Sequence, residues 1–307
     1  MQTTRHLLMV RPANFARASE TVADNSFQEP VSNESFRAIG ERAVQEFDHF
    51  VELLRRIGVE VTVIEDTPAP VKPDAVFPNN WFSTHPDGTL VTYPTYWPQR
   101  RLERRDDVVD FLKNTFRVAR HVDLSAWEED ERYLESTGSL LLDRDRLIAY
   151  ACLSQRCTRV AVHDWCEIMG YKPITFHAHD ARGEVIYHTN VMMALGTTHA
   201  IVCLDALRDE AERSKLTESL ILTGKRIVEL SLDQVDQFAG NALEVSTEEG
   251  PVWIMSSAAF GALTEEQRQT LVAPPGTRIV HADLSTIERY GGGSARCMLG
   301  EVYLEPR

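Results

Sequence analysis

Cysteine is scarce in this chain: five thiols, an odd number, stand at Cys152, Cys157, Cys166, Cys203 and Cys297. Their scattered spacing excludes a disulfide framework and a clustered zinc site, so no metal is expected. Basic residues are outnumbered, 32 Lys and Arg against 46 Asp and Glu, for a formal net charge of −14. That balance argues against phosphate-backbone binding, so no nucleic-acid partner is expected. No run approaches the roughly 18 consecutive apolar residues of a membrane span, so no membrane partner is expected either. The opening Met1-Gln2-Thr3-Thr4-Arg5-His6 leads straight into a short apolar strand, without a signal-peptide apolar region or a small-residue cleavage site. A reducing cytoplasm is the expected location. Linkers and low-complexity tracts are missing as well, and the Pro-rich stretch 67–73 falls between repeats. Residues 1–307 therefore read as a single domain.

What is present is ordinary for a globular chain, 43% apolar and 25% charged residues, enough for a substantial core. Candidate hairpins recur along it, each an extended run, a polar turn and a second run. They are 76–82 into 90–93, 139–142 into 147–150, 190–195 into 200–204, and 242–245 into 252–255. A last run at 297–299 continues to 302–304, where an N-terminal strand at 7–10 would join it. With Asn80, Gly138, Asn190, Asn241 and Cys297 as markers the intervals are 58, 52, 51 and 56 residues, which predicts five related units. Helices are expected between them, over 34–57, 106–116, 156–169, 206–222 and 264–272. The first carries Phe36, Ile39, Val44, Phe47, Val51 and Leu54 on one face. Hairpins alternating with helices give an α/β architecture, arranged as a ring of repeats.

The chemistry concentrates late in the chain. In Tyr290-Gly291-Gly292-Gly293-Ser294-Ala295-Arg296-Cys297, three glycines clear side chains from the approach to one thiol. A lone cysteine is more often a small buried apolar residue, but the glycines and the repeat register favour a nucleophile. The ring would bring Asp74, Asn79, Asn80, Glu135, His188, Asn190 and Asn241 to the same mouth. An imidazole titrating near working pH would move the protons. Blander readings stand beside these: His188 as a structural histidine, Glu135 as a turn carboxylate, Asn79 and Asn80 as turn residues. His177 and His179 lack further ligands and read as a polar loop. Cys203 reads as core, and Cys157 and Cys166 as opposite faces of one helix.

At these residues the chain resembles the guanidine-modifying, or pentein, superfamily of arginine deiminase, dimethylarginine dimethylaminohydrolase and the amidinotransferases. The likeness runs essentially the whole length. Its most specific parts are the glycine-rich stretch ending at Cys297, His188, and Leu134-Glu135. The stretches Arg11-Pro12-Ala13-Asn14-Phe15, Pro73-Asp74-Ala75-Val76-Phe77-Pro78-Asn79-Asn80-Trp81 and Glu135-Ser136-Thr137-Gly138-Ser139 are similar to the citrulline-hydrolase branch, the "amidinotransferase family". The resemblance implies a five-bladed α/β propeller with pseudo-five-fold repeats and no cofactor. It implies Cys297 as nucleophile, His188 as general acid and base, and Glu135 as the supporting carboxylate. Substrate contacts are expected from Asp74, Phe77, Asn79, Asn80, Asn190 and Asn241, with Arg156 and Arg11 as candidates for the α-carboxylate.

The departures from the deiminase pattern bear on substrate. Asn80 stands where deiminases carry an acid, His188-Thr189-Asn190 replaces His-x-Asp, and Glu135-Ser136-Thr137-Gly138 replaces Glu-Gly-Gly-Asp. A guanidinium offers only N–H donors and a positive charge, which calls for carboxylates; a ureido carbonyl calls for a donor. Amides supply donors, so the expected substrate is citrulline, cleaved to ornithine, ammonia and carbon dioxide through an S-carbamoyl enzyme. Arginine deiminase or dihydrolase, dimethylarginine hydrolase, amidinotransferase and a non-catalytic pentein binding protein are the alternatives. Homodimer formation is left open.

Overall fold

A computed structural model of the chain describes residues 1–16, 20–31 and 35–307. Fifteen strands run through them: β1 (His6–Arg11), β2 (Glu60–Glu65), β3 (Phe82–Thr84), β4 (Thr89–Thr92), β5 (Arg120–Asp123), β6 (Leu140–Asp143), β7 (Ile148–Cys152), β8 (Lys172–Phe176), β9 (Met193–Leu195), β10 (His199–Val202), β11 (Arg226–Glu229), β12 (Leu243–Thr247), β13 (Gly250–Ser256), β14 (Arg278–Ala282) and β15 (Gly300–Val302). They form five three-stranded sheets, ordered β3-β4-β5, β6-β7-β8, β9-β10-β11, β12-β13-β14 and β15-β1-β2. In every sheet the first two strands are antiparallel and the third runs parallel to the middle one. A parallel neighbour requires a crossover, and a helix supplies it each time. These helices are Asp106–Thr115, Arg159–Met169, Glu210–Leu222, Glu265–Leu271 and Phe36–Arg56.

The repeat register read from the sequence corresponds to these five sheets, with one omission. Third strands were not expected, because they lie at the sheets' outer edges and β2, β5 and β11 are half-exposed. Several first strands are also shorter than expected: residues 78–80, 189–192 and 295–298 make helical turns instead. Pro78 opens one of them, where its missing N–H costs nothing. Each turn lies directly before its sheet, and neighbouring units meet there: β15 touches β3, β6 touches β9, and β9 touches β12.

The expected start of the first helix at Glu34 lies outside the described residues. From Ser35, which caps it by accepting from the Ala38 N–H, the helix buries Ile39, Ala43, Phe47, Phe50, Val51 and Leu54. Phe36 is instead 44% exposed and Val44 half-buried, so the buried stripe is rotated toward Ala43 and Phe50. Burial of each Phe contributes about 2–3 kcal/mol. Cys157 lies just ahead of the helix Arg159–Met169 rather than on it, pairing through its backbone with Leu134 and Ser154. Among the described residues, no helix is long and apolar enough to cross a membrane.

Candidate active site

The helix Ser285–Gly291 ends at Gly292, whose φ of +62° is the left-handed conformation that terminates helices. The flanking glycines serve packing as well as access. A Cβ on Gly291 or Gly293 would come within 2.7 Å or 2.9 Å of the Phe77 ring. The chain then turns through Ala295–Met298, where the Cys297 N–H donates to the Ser294 carbonyl at 3.0 Å. The Cys297 Sγ receives the Asn241 Nδ2 at 3.2 Å and the Asn190 Nδ2 at 3.5 Å. The Asn241 orientation is unambiguous, since its Oδ1 accepts the Arg296 N–H at 2.9 Å and only oxygen can accept there. Two amide donors thus converge on one sulfur. The other thiols are different: burial pushes Cys152 and Cys166 up to about 12 and Cys203 to about 11, and raises Cys157 too.

His188 and Glu135 form a buried pair, Nε2 to Oε2 at 2.7 Å. Burial drives the Glu135 carboxyl upward, but the His188 hydrogen bond and the charges of Arg156, His188 and Arg100 outweigh it and hold the pKa at about 2. Burial draws the His188 pKa below its ordinary value, and Glu135 only partly offsets this. At neutral pH the pair is thus a carboxylate and a neutral imidazole. Glu135 can only accept, so the imidazole proton is on Nε2 and Nδ1 carries the lone pair. Tyr187 lies tilted against the ring, centroids 4.8 Å apart, and donates its hydroxyl to the Gly292 carbonyl at 2.7 Å, joining the histidine's segment to the glycine loop.

Asn80 lies across Gly138 from this pair. Its Oδ1 accepts from Arg100 Nη1 at 3.0 Å, and because a guanidinium has no acceptor, the Asn80 Nδ2 must turn the other way. That nitrogen is buried and makes no hydrogen bond among the described residues. A Cβ on Gly138 would lie 2.3 Å from the Asn80 Nδ2 and 3.0 Å from the His188 Nδ1. Gly138→Ala is therefore expected to displace both side chains, lowering stability by about 1–3 kcal/mol and turnover by about 100-fold. Thermal unfolding and a turnover assay check it; unchanged turnover would show that the two side chains need not sit where Gly138 admits them.

A small cavity joins these groups, with Cys297, His188, Asn80, Asp74 and Phe77 on its wall and Arg100 and Arg156 beside them. Asp74 accepts the Thr21 hydroxyl at 3.2 Å. Asn190 and Asn241 reach the site through the sulfur, and Glu135 through His188. Asn79 is buried but is not on the cavity wall, and its amide has no hydrogen-bond partner among the described residues. Arg11 does not reach the site. Its guanidinium grips Asp48 at 2.7 Å and 2.9 Å and approaches Glu65 at 3.5 Å, because the helix Phe36–Arg56 packs against its strand. The Arg11 assignment is thereby corrected.

Several groups were not legible in the sequence. Arg100 is buried against Glu103, with contacts of 2.8 Å and 2.7 Å, and burial raises the Glu103 carboxyl to about 7 despite the arginine. An Arg and a Glu three apart ordinarily form a solvated helix pair, so nothing in the pattern marked them. Asp24 holds Arg156 from the segment 20–31, which also sends the Gln28 Nε2 to the Tyr290 carbonyl at 2.8 Å.

A family model described as N,N dimethylarginine dimethylhydrolase, eukaryotic, matches residues 11–304. The chain belongs to this family. It thereby falls within the guanidine-modifying superfamily that the sequence resembles. No curated protein matches the sequence. Among solved structures, the apo form of ArgZ, an arginine dihydrolase from the ornithine-ammonia cycle in cyanobacteria, aligns with TM-score 0.75 at 18% identity over 98% of this chain. This chain spans only 41% of that protein. The substrate-bound N-terminal domain of ArgZ aligns with TM-score 0.75 and 18% identity over 97% of both chains. A dimethylarginine dimethylaminohydrolase adduct with S-methyl-L-thiocitrulline aligns with TM-score 0.69 and 13% identity, over 98% of this chain and 100% of the other.

Proposed function

We propose that this family member is a cysteine-dependent hydrolase of the ureido group of citrulline, releasing ornithine, ammonia and carbon dioxide. The observation that carries the reading is the amide of Asn80, turned by Arg100 so that it presents N–H donors rather than an acceptor beside the catalytic pair. A ureido oxygen accepts such donors and a guanidinium cannot. The five sheets would close into a five-bladed propeller, a single domain over 1–307 with this site at its mouth. Cys297, His188 and Glu135 are the catalytic groups, and Asp74, Phe77, Asn80 and Arg156 the substrate contacts.

The thiolate of Cys297, supported by Asn190 and Asn241, adds to the ureido carbon. The oxyanion that forms takes the N–H donors of Asn80. His188, neutral at Nδ1 and oriented by Glu135, accepts the thiol proton and passes it to the departing amine of ornithine. The carbon–nitrogen bond breaks and an S-carbamoyl enzyme remains. His188 then takes a proton from water, whose oxygen displaces the sulfur, and the carbamic acid released divides into ammonia and carbon dioxide.

A second reading has a specific observation behind it. Asp74 adds a carboxylate to the cavity wall, which suits a guanidinium, and the fold is shared with an arginine dihydrolase. Incubation with citrulline and with arginine separately, following ornithine, citrulline and ammonia, distinguishes the two. Ornithine from citrulline alone supports the first reading; citrulline or ornithine from arginine supports the second. Asn80→Asp and Asn190→Asp, which convert donors to acceptors, are expected to move the kcat/KM ratio toward arginine by at least about tenfold. An unmoved ratio would remove the amide argument.

A further inference from the structure

The helix Ser285–Gly291, which leads into the glycine loop, is tied near both ends by carboxylates that lie off the cavity wall. At its start Glu46, from the helix Phe36–Arg56, accepts the Thr286 N–H at 2.8 Å and the Ile287 N–H at 3.0 Å. Toward its end stands Glu288, 6% exposed. The Glu288 carbonyl accepts the Gly292 N–H at 2.9 Å, and its side-chain Oε1 accepts the Ser294 hydroxyl at 2.6 Å. One residue therefore holds the loop on both sides of Gly293. Gly291, Gly292 and Gly293 have no side chains with which to anchor themselves, and glycine backbone is the most permissive there is. Where the loop delivers the next residues depends on ties at its ends.

A carboxyl is a costly way to fill this position. Burial raises Glu288 to about 7 although the hydroxyls of Ser256 and Ser294 draw it down, and the charges of Glu46 and Asp283 add to the rise. An apolar side chain would occupy the same space without that cost. What it could not supply is acceptor capacity for two hydroxyls from separate elements. Ser256 closes β13, and Ser294 opens the turn Ala295–Met298 that carries the sulfur. Through Glu288 the glycine loop is thus joined to the sheet β12-β13-β14, which follows Asn241 in the chain. Asn241 itself accepts the Arg296 N–H at 2.9 Å. The turn is held at Ser294 by Glu288 and at Arg296 by Asn241, one residue before the sulfur.

On the reading of Cys297 as the attacking group, we infer that Glu288 is a positioning residue for it: by holding the Ser294 hydroxyl, Glu288 sets where the glycine loop places the Cys297 sulfur, without touching substrate. The Ser294–Glu288 contact is then part of what aligns the sulfur with the amides of Asn190 and Asn241.

The test compares Ser294→Ala, Glu288→Leu and Glu288→Gln in the full chain. The first removes the donor, the second the acceptor, and the third keeps an acceptor while removing the charge. Ser294→Ala and Glu288→Leu are expected to lower kcat on the hydrolysed substrate, citrulline or arginine, at least about tenfold with KM within about threefold, because a misplaced sulfur slows bond formation while the substrate contacts stay. Glu288→Gln is expected to recover most of that loss. Independently of any substrate, the rate at which iodoacetamide alkylates Cys297, read by mass spectrometry of its peptide, is expected to change at least about fivefold in the first two variants and much less in the third, since the loop governs both access to the sulfur and the amides around it. Thermal melts confirm that the variants are folded; should Glu288→Leu not fold, Ser294→Ala decides, since it removes one oxygen atom only. A folded Ser294→Ala with native kcat and alkylation rate, a loss confined to KM, or a Glu288→Gln as impaired as Glu288→Leu overturns the inference. Failure of the functional reading looks different: the native chain turns over neither citrulline nor arginine, while alkylation still follows the Ser294–Glu288 contact. A native sulfur that neither supports turnover nor alkylates overturns both.

Discussion

Cys297→Ala is expected to abolish turnover of citrulline and arginine, a loss of at least about 10⁴-fold in kcat, while thermal unfolding moves little. The sulfur is the atom on which Asn190 and Asn241 converge, and the other four cysteines are held protonated by burial. No second nucleophile could replace it. The side chain is small, 5% exposed and set in a turn whose shape depends on backbone hydrogen bonds, so the lost contacts should cost only about 1 kcal/mol. Ornithine and ammonia release, read beside a melting curve, checks both halves. Turnover within tenfold of native would mean that the covalent route is wrong.

Glu135→Gln is expected to lower kcat about 10³-fold and to move the acid limb of its pH profile toward lower pH. The sign follows from the surroundings of His188. Burial lowers its pKa, the charges of Arg156 and Arg100 lower it further, and Glu135 opposes them; removing the carboxylate leaves the lowering influences unopposed. Stability should change with a distinct pH signature. In the folded chain Glu135 titrates at about 2 against an ordinary 4.5, so its contribution, on the order of 3 kcal/mol, is complete above the higher value. It is lost as pH falls through about 2, below which both states are protonated. The gap between native and variant unfolding free energies should therefore be wide at neutral pH and close in acid. A gap independent of pH would indicate that Glu135 is not ionised in the fold.

Much of the site was legible in the chain because each part stands at the head of a hairpin and recurs at near-constant spacing. Glu135, His188, Asn190, Asn241 and Cys297 all gather as the register implied, each at a turn or loop just before a first strand. Arg11 shows where that reading failed. Its fork suits any carboxylate, and Asp48, brought by a helix 37 residues on, claimed it. The glycines before Cys297 were recognised, but their packing against Phe77 was not, since that ring lies more than two hundred residues away.

Local pattern by itself determined the five units, the helices between them and the candidate nucleophile, because apolar periodicity and glycine placement act over a few residues. Only the tertiary structure decided which way the Asn80 amide faces and what Arg156 holds. Those outcomes depend on hydrogen-bond partners 20 and 132 residues distant, and a donor's direction is settled only once its acceptor has been packed beside it.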